Sequence, residues 1–353
     1  MKLFRIRNHA AIGRSPLWRV TRALLSLVLL GSALTIQARA AQEDGKGSSS
    51  DLPETCYLFA YFTGNGEDGL HLAWSRDGYV WIILNQGKSY LTPTVGESKL
   101  MRDPCLLRGP DGVFRMVWTT AWKGVTIGYS SSKDLLTWTP QQAMPVMADE
   151  TTTLNCWAPE IIYDPKKRDY IIFWASTIPG RFPATAGTGD NDYNHRIYAT
   201  RTTNFIAFSP KWLFYEPGFN VIDATILPAN GKYYLIVKDE TKEPPKKHLR
   251  IASSESAEGP FTHLSPPFTR DWVEGPTAIQ IGKDYLVYFD VYREKHYGAM
   301  RSRDLKTWED VTSMVSFPAG ARHGTVIAVP RNIIARLERA GSIATTPLEK
   351  PAK

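Results

Sequence analysis

Cysteine is scarce in this chain: Cys56, Cys105 and Cys156 are the three it has in 353 residues. An odd count permits at most one internal disulfide, and the spacings are too long for a compact zinc motif. Cys105 and Cys156 occupy similar places in two repeated segments. A bridge between them and buried free thiols are both compatible with that placement. Long apolar runs are also nearly missing. The one such run, Ala23–Leu30, is too short for a membrane span of about 20 residues. Long stretches of helical periodicity with caps are absent, which argues against helical architectures. Acidic residues are missing from one region, residues 1–40, which holds Lys2, Arg5, Arg7, Arg14, Arg19, Arg22 and Arg39. These seven account for the whole net charge of +7, because the remaining 35 Lys and Arg face 35 Asp and Glu. Bulk charge therefore gives no support for a nucleic-acid partner.

The N-terminus combines that basic stretch with the short apolar run and Ala38-Arg39-Ala40, a small-x-small cleavage pattern. It reads as a signal peptide over residues 1–40, so a secreted or periplasmic protein with no membrane span after cleavage is expected. A polar linker rich in Gly and Ser follows over 41–55.

From Tyr57 onward the chain is a run of short strands rich in aromatic and branched residues, closed by Gly or Asp turns. Internal repeats organise them. After Asp103 come an apolar strand, the turn Gly109–Gly112, a strand at Val113–Trp118, a third at Thr126–Ser130, and Ser132-Lys133-Asp134-Leu135-Leu136-Thr137-Trp138. After Glu274 the same order returns and ends on Ser302-Arg303-Asp304-Leu305-Lys306-Thr307-Trp308. Similar units begin at Glu160 and Asp223. Five corners punctuate the repeats, each a polar residue, a small residue or Pro, and an apolar run: Arg102-Asp103-Pro104, Trp157-Ala158-Pro159-Glu160, Ile222-Asp223-Ala224, Glu274-Gly275-Pro276 and Arg322-His323-Gly324. They lie about 50–65 residues apart.

Four strands per unit is the size of a propeller blade. The first unit, Tyr57–Ile83, offers three strands, and the last corner is followed by one, Thr325–Val329. The economical arrangement is an all-β, five-bladed propeller over 56–330, in which the C-terminal strand completes blade one and leaves no open seam. Residues 331–353 form a tail, helical or irregular. The five corners would then meet at one end of the channel. Any one of them is explained by turn chemistry alone. Three acids in phase point to a site. Three carboxylates suit glycosidic hydrolysis, which needs one protonated and one ionised carboxyl, with a third tuning the acid.

The Asp-Pro blade opening, the Trp-Ala-Pro-acid corner, the Ile-Asp corner before Gly231-Lys232-Tyr233-Tyr234 and the Glu-Gly-Pro corner resemble glycoside hydrolase family 43 over residues 56–330. The resemblance implies an inverting mechanism with Asp103 as general base, Glu274 as general acid and Asp223 as its pKa modulator. The substrates it implies are terminal furanosyl or pentosyl units of an oligo- or polysaccharide, α-L-arabinofuranosides first. β-Xylosides, β-galactofuranosides and a catalytically silent carbohydrate-binding propeller are the alternatives. No cofactor is required, although similar propellers hold a channel calcium through water and one His. His323 is the candidate metal ligand, with a hydrogen-bonded neutral His as the other reading. Glu160 stands where many relatives have Asp, so its role is open between substrate contact and blade structure. Arg102, Trp157, Glu160, Arg181, Phe182, Arg293 and His323 are the expected substrate-binding residues, and Trp122 is a further aromatic near a corner. The long segment 177–194 is expected to wall the pocket and favour chain ends.

Overall fold

The strands expected from the aromatic and branched runs are present in the computed structural model, which describes residues 52–343. The expected signal peptide, most of the expected linker and the last ten residues lie outside them. In chain order the strands are β1 (Thr55–Phe62), β2 (His71–Ser75), β3 (Trp81–Ile83), β4 (Arg102–Arg108), β5 (Phe114–Thr119), β6 (Ile127–Ser132) and β7 (Gln142–Met144). Then follow β8 (Trp157–Asp164), β9 (Asp169–Ser176), β10 (Arg196–Thr202), β11 (Trp212–Tyr215), β12 (Val221–Ala229), β13 (Lys232–Asp239) and β14 (His248–Ser254). The series ends with β15 (Glu274–Ile281), β16 (Asp284–Val291), β17 (His296–Ser302), β18 (Glu309–Asp310), β19 (Arg322–Pro330) and a helix, α1 (Arg331–Ile343).

They form five antiparallel sheets, the blades of a propeller. Blade one is β19-β1-β2-β3, so the C-terminal strand closes the ring by pairing with β1, Cys56 opposite Val329. Blades two, three and five have four strands each. Blade four, β12-β13-β14, has three. Its outer position holds a single bridge between Ser253 and Thr262, because Pro260, Pro266 and Pro267 interrupt that segment and proline cannot donate to a ladder.

Strand side chains alternate between faces, and here both faces are buried. In β9, Ile171 and Phe173 pack toward blade four while Ile172 and Trp174 pack toward blade two. Six such apolar clusters fill the five junctions between neighbouring sheets, two of them between blades four and five; the one joining blades five and one contains Phe59, Trp81, Tyr288 and Tyr297. The Ser-x-Asp turns repeat because each solves the same problem at a strand end. Ser132 Oγ accepts the N–H groups of Asp134 and Leu135, and Asp134 Oδ1 accepts those of Leu136 and Thr137. Ser302 and Asp304 repeat the pattern. Leu135 and Leu305 take positive φ there, at roughly 1–2 kcal/mol each, offset by burying the side chain. Helix α1 buries Ile333, Ile334 and Leu337 on one face, against Leu58, Leu72 and Trp74 of blade one.

Candidate active site

Each inner strand begins with the same irregularity. On β4, Arg102 pairs with Thr119 and Cys105 with Val117, so three steps on the inner strand oppose two on its neighbour. The count recurs at Trp157/Glu160, Ile222/Thr225, Glu274/Thr277 and Arg322/Thr325. A β-bulge of this kind turns a side chain away from the sheet. The first bulged residues are Asp103, Ala158, Asp223, Gly275 and His323, and the first four take φ of 51°, 45°, 51° and 58°. Holding two aspartates in the left-handed region costs energy that the surrounding ladder must offset. Gly275 has a second reason to be glycine, since a Cβ there would lie 2.4 Å from Cγ of His323.

Asp103, Asp223 and His323 are thus structural equivalents. Glu274 sits one residue earlier, equivalent to Arg102, Trp157, Ile222 and Arg322, and reaches the same place with a longer side chain. All four line one cleft of about 620 Å³, together with Arg102, Trp122, Trp157, Tyr193, His195, Lys238, Glu240 and Arg322. Ligand clefts commonly have this size.

The carboxyls differ in their partners. Asp103 accepts from Thr119 Oγ1 at 2.8 Å and lies 3.3 Å from His323 Nδ1. Thr119 Oγ1 in turn accepts the Ala158 N–H at 2.8 Å, which fixes its hydroxyl toward Asp103. Burial pushes the Asp103 carboxyl up, but His323, Arg102 and Thr119 outweigh it and bring it down to about 2. Asp223 accepts the Gly275 N–H at 3.0 Å. Burial, with Glu274 and Asp103 adding like charge, raises it to about 6 against the pull of His323 and Lys238. Glu274 accepts from Lys238 Nζ at 3.1 Å on one oxygen and from Arg322 Nη2 at 3.0 Å on the other. Burial pushes it up, yet those two cations hold it below the ordinary glutamate value. His323 opposes its own burial through Asp103, Asp223 and Glu274, which raise it to about 9, so it is an imidazolium at neutral pH. These neighbours favour the charged form of His323 over the neutral one.

No group of three or more His, Cys, Asp or Glu among the described residues is arranged to hold a metal ion. A channel calcium held through water and one His would take His323 as that His, in its neutral form and in competition with the proton that Asp103 favours. No step below runs through that ion.

Arg102 lies against Phe62 and Trp122, 4.8 and 4.2 Å from their ring centres, and donates to Asn65 Oδ1 at 3.0 Å. Trp122 donates to the same oxygen at 2.9 Å and is 50% exposed at the cleft. Trp157 donates its indole N–H to the Trp122 carbonyl and packs on Tyr193 and His195. Four expected contacts are not in the cleft wall. Glu160 is buried below it, accepting from Thr225 Oγ1 at 3.1 Å, because it stands two residues past the bulge. Arg181 is held by Glu150 at 3.1 Å. Phe182 covers the buried Arg196 at 4.2 Å, and Arg293 stacks on Trp272 at 3.1 Å. The segment 177–194 does wall the cleft, but through Asp190, Asn191 and Tyr193. Asp190 ties it to Lys242 and Lys247. All three cysteines are free and buried.

Lys238, Glu240, Tyr193, His195, Asn65 and Thr119 are among the cleft residues that repeat reasoning missed, and Arg322, quoted in a corner, received no role. A charged residue closing the apolar run Leu235-Ile236-Val237 was the available signal for Lys238.

A family model described as a probable glycosyl hydrolase domain, related to family 43, matches residues 53–334. An alpha-L-arabinofuranosidase of Bifidobacterium longum subsp. longum is 25% identical over 66% of this chain. The chain spans 26% of that relative's length. Among solved structures, a thermostable family-43 glycoside hydrolase is 14% identical with a TM-score of 0.50, covering 65% of this chain and 80% of that one. An alpha-L-arabinofuranosidase from Lactobacillus brevis is 17% identical at a TM-score of 0.45, covering 60% and 72%. With the family model spanning nearly the whole propeller, the chain belongs to the family-43-related glycosyl hydrolases.

Proposed function

We propose that the protein is an inverting glycosidase that releases terminal furanosyl or pentosyl units, α-L-arabinofuranosyl first, from an oligo- or polysaccharide. The observation that supports this best is the difference between the partners of the carboxyls on the two sides of one cleft. Asp103 is held ionised by His323 and Thr119 on one side. On the other, Asp223 and Glu274 are adjacent through the Gly275 N–H; Asp223 is raised to about 6, while Lys238 and Arg322 hold Glu274 below its ordinary value, so Glu274 takes up the proton it transfers in competition with those cations. Inversion needs that asymmetry. Asp103 takes a proton from water as its oxygen forms the new bond to the anomeric carbon. The glycosidic C–O bond breaks, and Glu274 gives its proton to the departing oxygen. Asp223 stabilises the protonated form of Glu274 by like charge and holds the Gly275 corner.

Attack at a chain end is supported by the pinned wall at 190–193 and by Trp122, whose half-exposed ring offers an apolar face to a sugar. The basic, apolar first 40 residues support export, so the substrate would be an extracellular or periplasmic glycan. A panel of aryl α-L-arabinofuranoside, β-xyloside and β-galactofuranoside tests the substrate, and proton NMR of the first-formed anomer tests the mechanism. Retained configuration, or turnover of none of the three, would remove this reading; the second outcome favours a silent binding propeller.

A further inference from the structure

Lys238 is 2% exposed, yet it is a lysine in a cleft wall. Its Nζ lies 3.1 Å from Glu274 Oε2 and 2.7 Å from Glu240 Oε2, and 5.1 Å from the centre of the Tyr292 ring. The other Glu240 oxygen is 2.5 Å from Lys247. A buried ammonium of this kind needs anionic partners, and here it has two that compete for one charge. The geometry points to Lys238 and Glu240 as a paired positioning device for Glu274: Lys238 supplies positive charge to the acid, and Glu240 decides how much of that charge the acid receives. This rests on the reading of Glu274 as the proton donor.

Other charges face Glu274 as well. Asp223 approaches from β12, Asp290 and Tyr292 from β16 and the residue beyond it, and Arg322 and His323 from β19. Arg322 has its own acid, Asp290, opposite its Nε. Each of the two cations touching Glu274 therefore has a second carboxylate behind it. In both cases a second carboxylate limits the pull on the acid. Without Glu240, Lys238 would give its whole charge to Glu274, and a fully salt-bridged glutamate is a poor proton donor near neutral pH. Without Lys238, Glu240 and Glu274 would be two like charges in one cleft, and the acid would hold its proton too firmly.

The test is carboxyl titration by 13C NMR of the full chain labelled at Glu Cδ, with the Glu274 resonance assigned by its loss in Glu274→Gln. Lys238→Met should raise the Glu274 midpoint by at least one pH unit, and Lys238→Arg should restore it. Glu240→Gln should lower it, and in the Lys238→Met background that lowering should differ in size, as a double-mutant cycle requires of coupled groups. The basic limb of kcat/KM should move with the midpoint in each variant. An unmoved midpoint in Lys238→Met, or a Glu240→Gln effect independent of Lys238, overturns the proposal. Should Lys238→Met lose its near-UV dichroism, Glu240→Gln decides alone: a midpoint that stays or rises is fatal. If no glycoside is turned over, the glycosidase reading fails while the titration still judges the Lys238–Glu240 pair.

Discussion

Two rings of side chains line the same channel two residues apart, and their chemistry is opposite. The upper ring sits on the bulges: Asp103, Asp223, Gly275 and His323, joined by Glu274. The lower ring starts where regular pairing resumes: Cys105, Glu160, Thr225, Thr277 and Thr325. Upper carboxyls have cationic or backbone partners. The lower ring is bonded to itself and to backbone, as Thr325 Oγ1 to the Pro104 carbonyl at 2.8 Å and the Val326 N–H to Thr277 Oγ1 at 3.0 Å. Glu160, its one acid, has a threonine for a partner, and burial pushes it up to about 7. Glu274, in contact with two cations, is thus lowered, while Glu160, bonded to a hydroxyl, is raised by burial against the weaker pull of His323. Contact with cations, not residue identity, separates these two glutamates, and Asp223, in the upper ring but without an ion pair, is raised like Glu160.

The largest effect that would sharpen this contrast lies in the upper ring. Asp103→Asn and Glu274→Gln should each lower turnover by roughly 10²–10⁴-fold, the usual contribution of a positioned acid or base, with circular dichroism unchanged. If either kept near-normal rates, the upper ring would not be the reacting one. Asp223→Asn should cost less, about tenfold for a one-unit change in the acid's proton affinity. It should also move the basic limb of kcat/KM to lower pH, because a negative charge next to Glu274 has gone.

His323 gives a smaller effect, read in stability. Its folded value, about 9, lies above the unfolded 6.5. The native state therefore binds the proton more tightly, and the stabilisation is complete below pH 6.5 and lost as pH rises through about 9. Urea unfolding of His323→Asn should show a deficit of about 2 kcal/mol at pH 6 that closes by pH 9.5. A deficit independent of pH would mean that packing against Gly275, not charge, is what His323 supplies. The smallest effect belongs to the lower ring. Glu160 is raised from 4.5 to about 7, so its ionisation destabilises the fold increasingly from pH 4.5 to 7. Glu160→Gln should leave turnover within a few-fold. It should also raise Tm by roughly 2–4 °C at pH 8, with the gain vanishing at pH 4.5. Loss of activity on the scale of Asp103→Asn would place Glu160 in the upper ring's chemistry and erase the distinction.

Much of this was legible in the chain. The repeat phase gave five blades and the closure by β19, because each corner, hairpin and Ser-x-Asp turn is a local solution repeated at about 50–65 residues. Asp103, Asp223, Glu274 and His323 do line one cleft for the same reason. The misassigned residues share a different cause. Arg181, Phe182 and Arg293 are in loops, where sequence gives proximity but not direction, and each found a nearer partner in Glu150, Arg196 or Trp272. Glu160 was grouped with the corner although it stands past the bulge. A two-residue difference at a strand start decides between cleft and core.

By itself, then, the chain determined the all-β repeat, the ring closure and which acids share an end of the channel, since these follow from short-range turn chemistry and strand periodicity. Only the tertiary structure decided how the protons are divided. That division depends on Lys238 and Arg322, which reach Glu274 across 36 and 48 positions of sequence, and on His323 facing Asp103. A carboxyl's proton affinity is set by the charges and water within a few ångströms of it, and those neighbours come from different blades.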